Sequence, residues 1–361
     1  MKFAHFSHVW SREGMNAHER YEQLWRELEL ADELGFDYGF TVEHHFNPAE
    51  SLMPCPTLYC AGAAAHTKHL RVGPQGYIPP LYDPIRLVEE VAVLDNLTNG
   101  RLELGLVSGV LPEFFQHISG ADFENRGALT QEIIPLFKAA YGSDGPFSFQ
   151  GRFHKYDNVT LSVKPLQQPH PPIWRQTRDP DTLTALAREG SHTGFIFLYP
   201  RAMVAPRYRV FLKQWEDAGH PGKPNIGYWT MVYVDEDEET AIAKATEHIL
   251  HSMRVTFRHG WDNPGINQQA LHSTAEARGE TQVVDIARNL GDMDFLLKNN
   301  LIFVGSPETV TQRISEAAHE GLFNTIMCEF NIGSIPEDDL MRSIRLFGTQ
   351  VMPALRNLEV Y

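Results

Sequence analysis

Cysteine is scarce. Three occur in 361 residues, Cys55, Cys60 and Cys328. An odd count at these spacings describes neither a disulfide framework nor half of a zinc site with a second half elsewhere. A disulfide-stapled domain is excluded on that ground, and a reducing cytoplasm is the expected compartment. Long apolar runs are missing too, so no membrane-spanning helix is expected. The opening Met1-Lys2-Phe3-Ala4-His5-Phe6 has no apolar run of signal-peptide length. Positive charge is in deficit: 31 Lys and Arg stand against 46 Asp and Glu, a net charge of −15. That balance argues against nucleic acid and anionic membranes as partners. Any anionic ligand then requires a local basic pocket. No internal repeat or low-complexity run is present. Nor does a Gly-rich phosphate fingerprint follow the first strand-like segment; Gly105 to Gly109 reads G-x-x-x-G, the wrong spacing for a dinucleotide turn.

What is present is a regular alternation. Short apolar segments at 3–9, 36–43, 70–76, 102–108, 173–177, 193–197, 226–234 and 324–330 read as eight strands. Helical patterns fill most gaps; in 18–34, for example, Tyr21, Leu24, Trp25, Leu28 and Ala31 fall at helical spacing, and Gly35 follows as a C-terminal stop. Strands alternating with helices imply a parallel sheet. With no phosphate fingerprint to favour an open doubly wound sheet, the expected architecture is α/β, a (β/α)₈ TIM barrel forming one domain over 1–361. Two stretches break the rhythm. Residues 142–172, after the fourth strand, suggest a β-hairpin excursion. Residues 260–300, after the seventh, are polar and irregular and are expected to form an active-site lid.

In such a barrel the chemistry sits at the C-terminal ends of the strands. The second strand ends in Glu43-His44-His45. Adjacent strand residues point to opposite sides, so the two histidines do not face one metal, and no metal site is expected. One histidine at the barrel mouth is either an acid, base or donor, or a strand-end residue satisfying backbone groups. Arg175, Arg178 and Thr182 bracket the turn from the fifth strand into a helix. They form either an anion site at the helix N-terminus or a set of arginines paired with a capping Asp179 or Asp181. Gln75-Gly76 ends the third strand, where a glycine either lets a flat ligand approach or serves an ordinary loop. Tyr77, Phe114, Phe115 and Phe197 offer an apolar pocket wall or simply core.

Taken in order, Met1-Lys2-Phe3, Gly35-Phe36-Asp37, Glu43-His44-His45-Phe46, Leu70-Arg71-Val72-Gly73, Leu94-Asp95-Asn96-Leu97, Gly100-Arg101-Leu102, Val304-Gly305-Ser306-Pro307-Glu308 and Val351-Met352-Pro353 resemble the bacterial luciferase-like flavin monooxygenases. The resemblance implies reduced FMN at the C-terminal face of the barrel, O₂ as co-substrate, and oxygenation of a small, fairly apolar organic molecule through a C4a-peroxyflavin. It places the catalytic histidine on His44, with Glu43 orienting the pair. It implies a non-proline cis peptide near Gln75-Gly76 against the flavin ring. The phosphate site maps to Thr182 and Arg126, with Arg175 or Arg178 compensating where the family's basic ligand is Ser108 and its serine is Asp179. A separate flavin reductase and a homodimer formed through the early helices, helped by Ala61-Gly62-Ala63-Ala64-Ala65, complete the expectation. The alternatives are a deazaflavin-dependent hydride transferase of the same fold, or a non-catalytic flavin-binding subunit.

Overall fold

The computed structural model describes residues 1–177, 179–256, 275–277, 279–333 and 335–361. Its organising strand is β1 (Lys2–Ser7), buried from Phe3 onward. A parallel strand sealed on both faces must be apolar along its length, and β1 carries parallel neighbours on either side. These are β2 (Tyr38–Thr41) and β11 (Thr325–Glu329), with Phe6 opposite both Phe40 and Glu329. From β2 the sheet continues to β3 (Arg71–Pro74). From β11 it runs through β9 (Ile226–Val234), β8 (His192–Ile196) and β7 (Ile173–Gln176) to β4 (Leu104–Gly105). Parallel bridges Val72–Leu102 and Tyr77–Leu106 join β3 back to β4. The ring therefore closes with eight parallel strands, as the alternation predicts. β9 is buried at all nine residues.

The β3–β4 seam is the tightest join. A Cβ on Gly105 would stand 2.0 Å from the Pro74 carbonyl oxygen, and one on Gly76 would stand 2.3 Å from the Gly105 carbonyl carbon. Only glycine lets these backbones approach. The sequence predicts a fourth strand over 102–108; its ladder to β7 covers Leu104 and Gly105, and Leu102 and Leu106 on either side join by single bridges to Val72 and Tyr77.

Around the barrel lie α1 (Ala17–Glu33), α2 (Pro56–His66), α3 (Pro84–Leu97), α4 (Pro112–Gln116), α5 (Arg126–Gly142), α6 (Pro180–Glu189), α7 (Arg201–Asp217) and α8 (Glu238–Thr256). After them come α9 (Thr281–Arg288), α10 (Met293–Lys298), α11 (Pro307–Gly321) and α12 (Glu337–Leu346). Their ends are chemically marked. Asn16 and Glu19 form a reciprocal capping box on α1, and Asp83, Asp179, Asp292 and Ser306 cap α3, α6, α10 and α11. None of the helices among the described residues is long and apolar enough to cross a membrane.

The 142–172 excursion contains the antiparallel hairpin β5 (Phe147–Gln150) and β6 (Lys155–Val159). Within the proposed lid, residues 260–274 and 278 lie outside the described residues. The remainder is more regular than the composition suggests: Val283, Val284, Ile286 and Ala287 give α9 a buried face. A short strand, β10 (Phe303–Gly305), adds to β9 and is not foreseen from the sequence.

Candidate active site

Four chain segments converge at the C-terminal ends of β1, β2 and β11. His8 is the first residue after β1, and Glu329 is the last of β11. These ends are neighbours because Phe6 and Glu329 are in register. Glu329 receives the His8 backbone amide at 3.1 Å and binds its Nδ1 at 2.6 Å. Trp229 on β9 donates its indole N–H to the same carboxylate at 3.4 Å. His44, just beyond β2, stands edge-on to His8 with ring centroids 5.2 Å apart. Its Nδ1 meets Glu50 Oε1 at 3.1 Å, and Asn47 Nδ2 donates to the other Glu50 oxygen at 3.2 Å. Two imidazole–carboxylate pairs thus meet ring to ring. The Glu329 side chain is wholly buried and Glu50 nearly so, while that of His44 keeps 24% exposure.

Burial works against a charged His8, yet the charge and hydrogen bond of Glu329, with Glu50 behind, outweigh it. The His8 pKa lies above the ordinary histidine value. Burial likewise raises the cost of an ionised Glu50, but the charge and hydrogen bond of His44 outweigh that and hold the carboxyl below its usual range.

Of the histidine pair that Glu43 is expected to orient, it binds only the second. Its carboxylate binds His45 Nε2 at 3.0 Å and accepts from the Tyr82 hydroxyl at 3.0 Å and the Ile78 amide at 2.8 Å. So Glu43 orients His45, and Glu50 orients His44. The two histidines take different carboxylates although both rings lie beside Phe114. Burial pushes the Glu43 carboxyl above its ordinary value despite those three hydrogen bonds.

The remaining predicted residues divide. Phe114 lies 5.5 Å from the His44 ring and 5.4 Å from the His45 ring. Phe197 joins the cluster through Trp229, at 5.4 Å, which itself lies 5.3 Å from His8. Phe115 packs beside Phe114 with Ile78 in a small satellite core. Tyr77 is not brought to the mouth: it is fully buried, with its hydroxyl 3.0 Å from Thr57 on α2. The Gln75-Gly76 peptide is cis. The Gln75 side-chain nitrogen is buried without a hydrogen-bond partner among the described residues. Arg126 donates to the carbonyls of Gly109 and Phe123 and lies flat over the Phe123 ring. Ser108 is half-buried one residue before Gly109.

The expected anion site at α6 is already served by the protein. Asp179 accepts from both the amide and the hydroxyl of Thr182, each at 3.4 Å. Arg175 leaves β7 on the face opposite the core residue Trp174, and the charge it senses is Glu189 at the far end of α6. Arg178 lies outside the described residues. Sequence reasoning missed His8, Glu50, Glu329 and Trp229. The signal available for Glu329 was an acidic residue at the end of an otherwise apolar eighth strand; for His8 and Glu50, which lie in connecting segments, periodicity gives none.

The sequence model of the luciferase-like monooxygenase family matches residues 1–325. Over 256 residues the chain is 33% identical to the oxygenase component of a flavin-dependent trigonelline monooxygenase from Acinetobacter baylyi, covering 68% of this chain and 69% of that one. Among solved structures it resembles monooxygenase RslO1 from Streptomyces bottropensis, with a TM-score of 0.81, 25% identity, and coverage of 98% and 99%. The oxygenating constituent of 3,6-diketocamphane monooxygenase from Pseudomonas putida, solved with FMN, shares the fold at a TM-score of 0.74 and 19% identity, with 98% of each chain covered. Family match, identity and barrel agree: the chain belongs to the luciferase-like monooxygenase family.

Proposed function

We propose that this protein is the oxygenase component of a two-component flavin monooxygenase, using reduced FMN and O₂ on a small, fairly apolar organic substrate. The observation that carries the reading is His44 at the barrel mouth: partly open, fixed through Nδ1 by a buried carboxylate, and walled by aromatic rings.

The residues fit a flavin best at the ring end. The buried, unpartnered Gln75 nitrogen suits a ring carbonyl, since a buried donor left unmade costs about 1–3 kcal/mol. At the phosphate end, Ser108 and the terminal nitrogens of Arg126 are the better donors. Thr182 serves only if Asp179 turns away. Bound reduced FMN supplies the electron pair with which O₂ is activated. The chain's own contribution is to hold a proton at His44 Nε2, keep that ring oriented through Glu50, and exclude water with Phe114, Phe115, Phe197 and Trp229. A separate reductase delivers the reduced flavin. This is supported by the missing dinucleotide fingerprint and by the name of the trigonelline relative, an oxygenase component. Self-association through the early helices belongs to the same reading, supported by exposed Leu58 on α2 and Leu97 on α3. Gly62 has an internal role as well, since a Cβ there would stand 2.7 Å from the Trp25 ring.

The test is oxygen uptake with chemically reduced FMN across a panel of apolar ketones, aldehydes and N-heterocycles, with product detection. Substrate-dependent uptake with an oxygenated product supports the proposal. Hydride transfer from a reduced deazaflavin, indifferent to oxygen, would replace it with the alternative known for this fold, to which an F420-dependent alcohol dehydrogenase is similar at a TM-score of 0.71.

A further inference from the structure

His8, His44 and Glu50 each offer one ligand-capable atom, and the three atoms lie within 4.8 Å of one another. They come from the turn after β1, the end of β2 and the loop ahead of α2, so no spacing along the chain announces them. The closest pair, His44 Nδ1 and Glu50 Oε1, stand 3.1 Å apart. Two ligands each about 2.0–2.2 Å from a tetrahedral ion stand roughly 3.3–3.6 Å apart, so binding opens this pair slightly and draws the wider contacts of the cluster inward. His8 commits its Nδ1 to Glu329 at 2.6 Å, which leaves Nε2 for the cluster. A carboxylate on the far nitrogen orients a ligating histidine and raises its basicity, and the Asn47 amide, donating to the other Glu50 oxygen, fixes that carboxylate's orientation. Among the described residues, neither Glu50 nor Glu329 pairs with a lysine or arginine; imidazole is the sole ion-pair partner of each. Two buried carboxylates without a fixed cation favour a dication between them. The partly exposed His44 ring gives an ion a route from the barrel mouth.

We propose that His8, His44 and Glu50 bind one divalent transition-metal ion of the zinc class, with Glu329 and Asn47 as the hydrogen-bonding groups behind the ligands. Two imidazoles and one carboxylate suit zinc, copper or nickel over magnesium or calcium, and they leave a coordination position open. With the ion on Nδ1, His44 keeps its hydrogen on Nε2 but cannot release and regain it, because losing it would leave a metal-bound imidazolate. The ion therefore inhibits the oxygenase; that consequence rests on the function proposed above, whereas the binding does not.

The experiment is calorimetric titration of the flavin-free protein with ZnCl₂, repeated with Co²⁺ and read by its absorption bands. One ion per chain is expected. His8→Asn keeps an amide donor for Glu329 but removes Nε2, and Glu50→Gln removes a ligand charge; each should weaken binding at least about tenfold, as should Glu329→Gln. His45→Asn should leave affinity unchanged. Circular dichroism melts establish that each variant is folded, and the loss must appear in at least one folded variant of His8 or Glu50. No stoichiometric ion in the parent, or undiminished affinity in folded His8→Asn and Glu50→Gln, would overturn the site and assign any uptake to surface histidines. If Zn²⁺ binds but reduced FMN drives no oxygenation without it, the metal site stands and the oxygenase reading fails. If oxygenation proceeds and no ion binds, the reverse holds.

Discussion

Strand β1 and the residue that follows it each supply a histidine paired with a carboxylate, and their surroundings differ. His5 meets Glu27 on α1 at 3.1 Å, and Glu27 also takes the Arg20 guanidinium at 2.8 Å. All three side chains are at most 1% exposed. His8, at the strand's end, meets Glu329 without any arginine and touches a second such pair that opens to the barrel mouth. One cluster is sealed and saturated by a permanent cation. Among the described residues the other is compensated only by imidazoles, whose protons exchange. Buried His–carboxylate pairing therefore does not by itself mark a functional site; the missing fixed cation and the path to solvent do.

The sharpest way to break this contrast is to remove one member from each side. His44→Ala should lower substrate-dependent oxygenation by about 10²–10⁴-fold. Because the ring is already partly exposed, stability should change by no more than about 1 kcal/mol. Steady-state oxygen uptake with product analysis, alongside denaturant melts, checks both. Retained activity would remove His44 from the chemistry.

Glu27→Gln should do the converse. It leaves Arg20 buried without its counter-charge, a loss of about 3–5 kcal/mol of folding stability. Activity per folded molecule should be unchanged. A midpoint in urea indistinguishable from the parent would mean that Asn331 and the Trp10 carbonyl, which also neighbour Arg20, suffice to hold it.

His8 and Glu27 should also show opposite pH signatures. Burial alone would raise the Glu27 carboxyl, but the Arg20 charge and the His5 hydrogen bond outweigh it and hold its pKa below the ordinary value of 4.5. Its stabilisation is therefore complete above that value and is lost as pH falls through the lower native one. The His8 pKa is raised above 6.5. Its contribution is present below 6.5 and is lost as pH rises through the higher native value. Melting temperatures from acid to mildly alkaline pH should thus fall at both ends. Glu329→Gln should flatten only the alkaline slope and Glu27→Gln only the acid one.

The barrel was legible because a parallel strand sealed on both faces has to be an apolar run, and eight such runs alternate with helical periodicity. β4 reads longer in the sequence than its ladder because apolar patterning does not distinguish the paired Leu104 and Gly105 from Leu102 and Leu106, which join the neighbouring segment by single bridges. At the site, His44 was visible as a polar strand end. Its partner was not: Glu43 is adjacent in sequence, yet it binds His45, and the carboxylate that serves His44 arrives from a loop six residues on. At Thr182 the sequence leaves two readings open, and the helix's own Asp179 takes the amide and hydroxyl that an external anion would use.

The third pair, Glu43 with His45, falls between the extremes and gives the smallest expected effect. Glu43 is almost fully buried like Glu27, but no arginine compensates it, and burial holds its carboxyl above the ordinary value. A raised carboxyl pKa means the fold disfavours the charged form, so replacing it by a neutral isostere removes little. In Glu43→Gln the amide oxygen can keep accepting from the Ile78 amide or the Tyr82 hydroxyl. The new N–H₂ can donate to His45 Nε2 once that ring takes the other tautomer. The cost should be about 1 kcal/mol or less, and the oxygenation rate should stay within about tenfold of the parent, below the lower bound for a proton-transfer residue. Melts and oxygen uptake on this one variant test the distinction directly. A loss as large as that of His44→Ala would place the Glu43–His45 pair inside the chemistry and move the site's centre one residue along the strand.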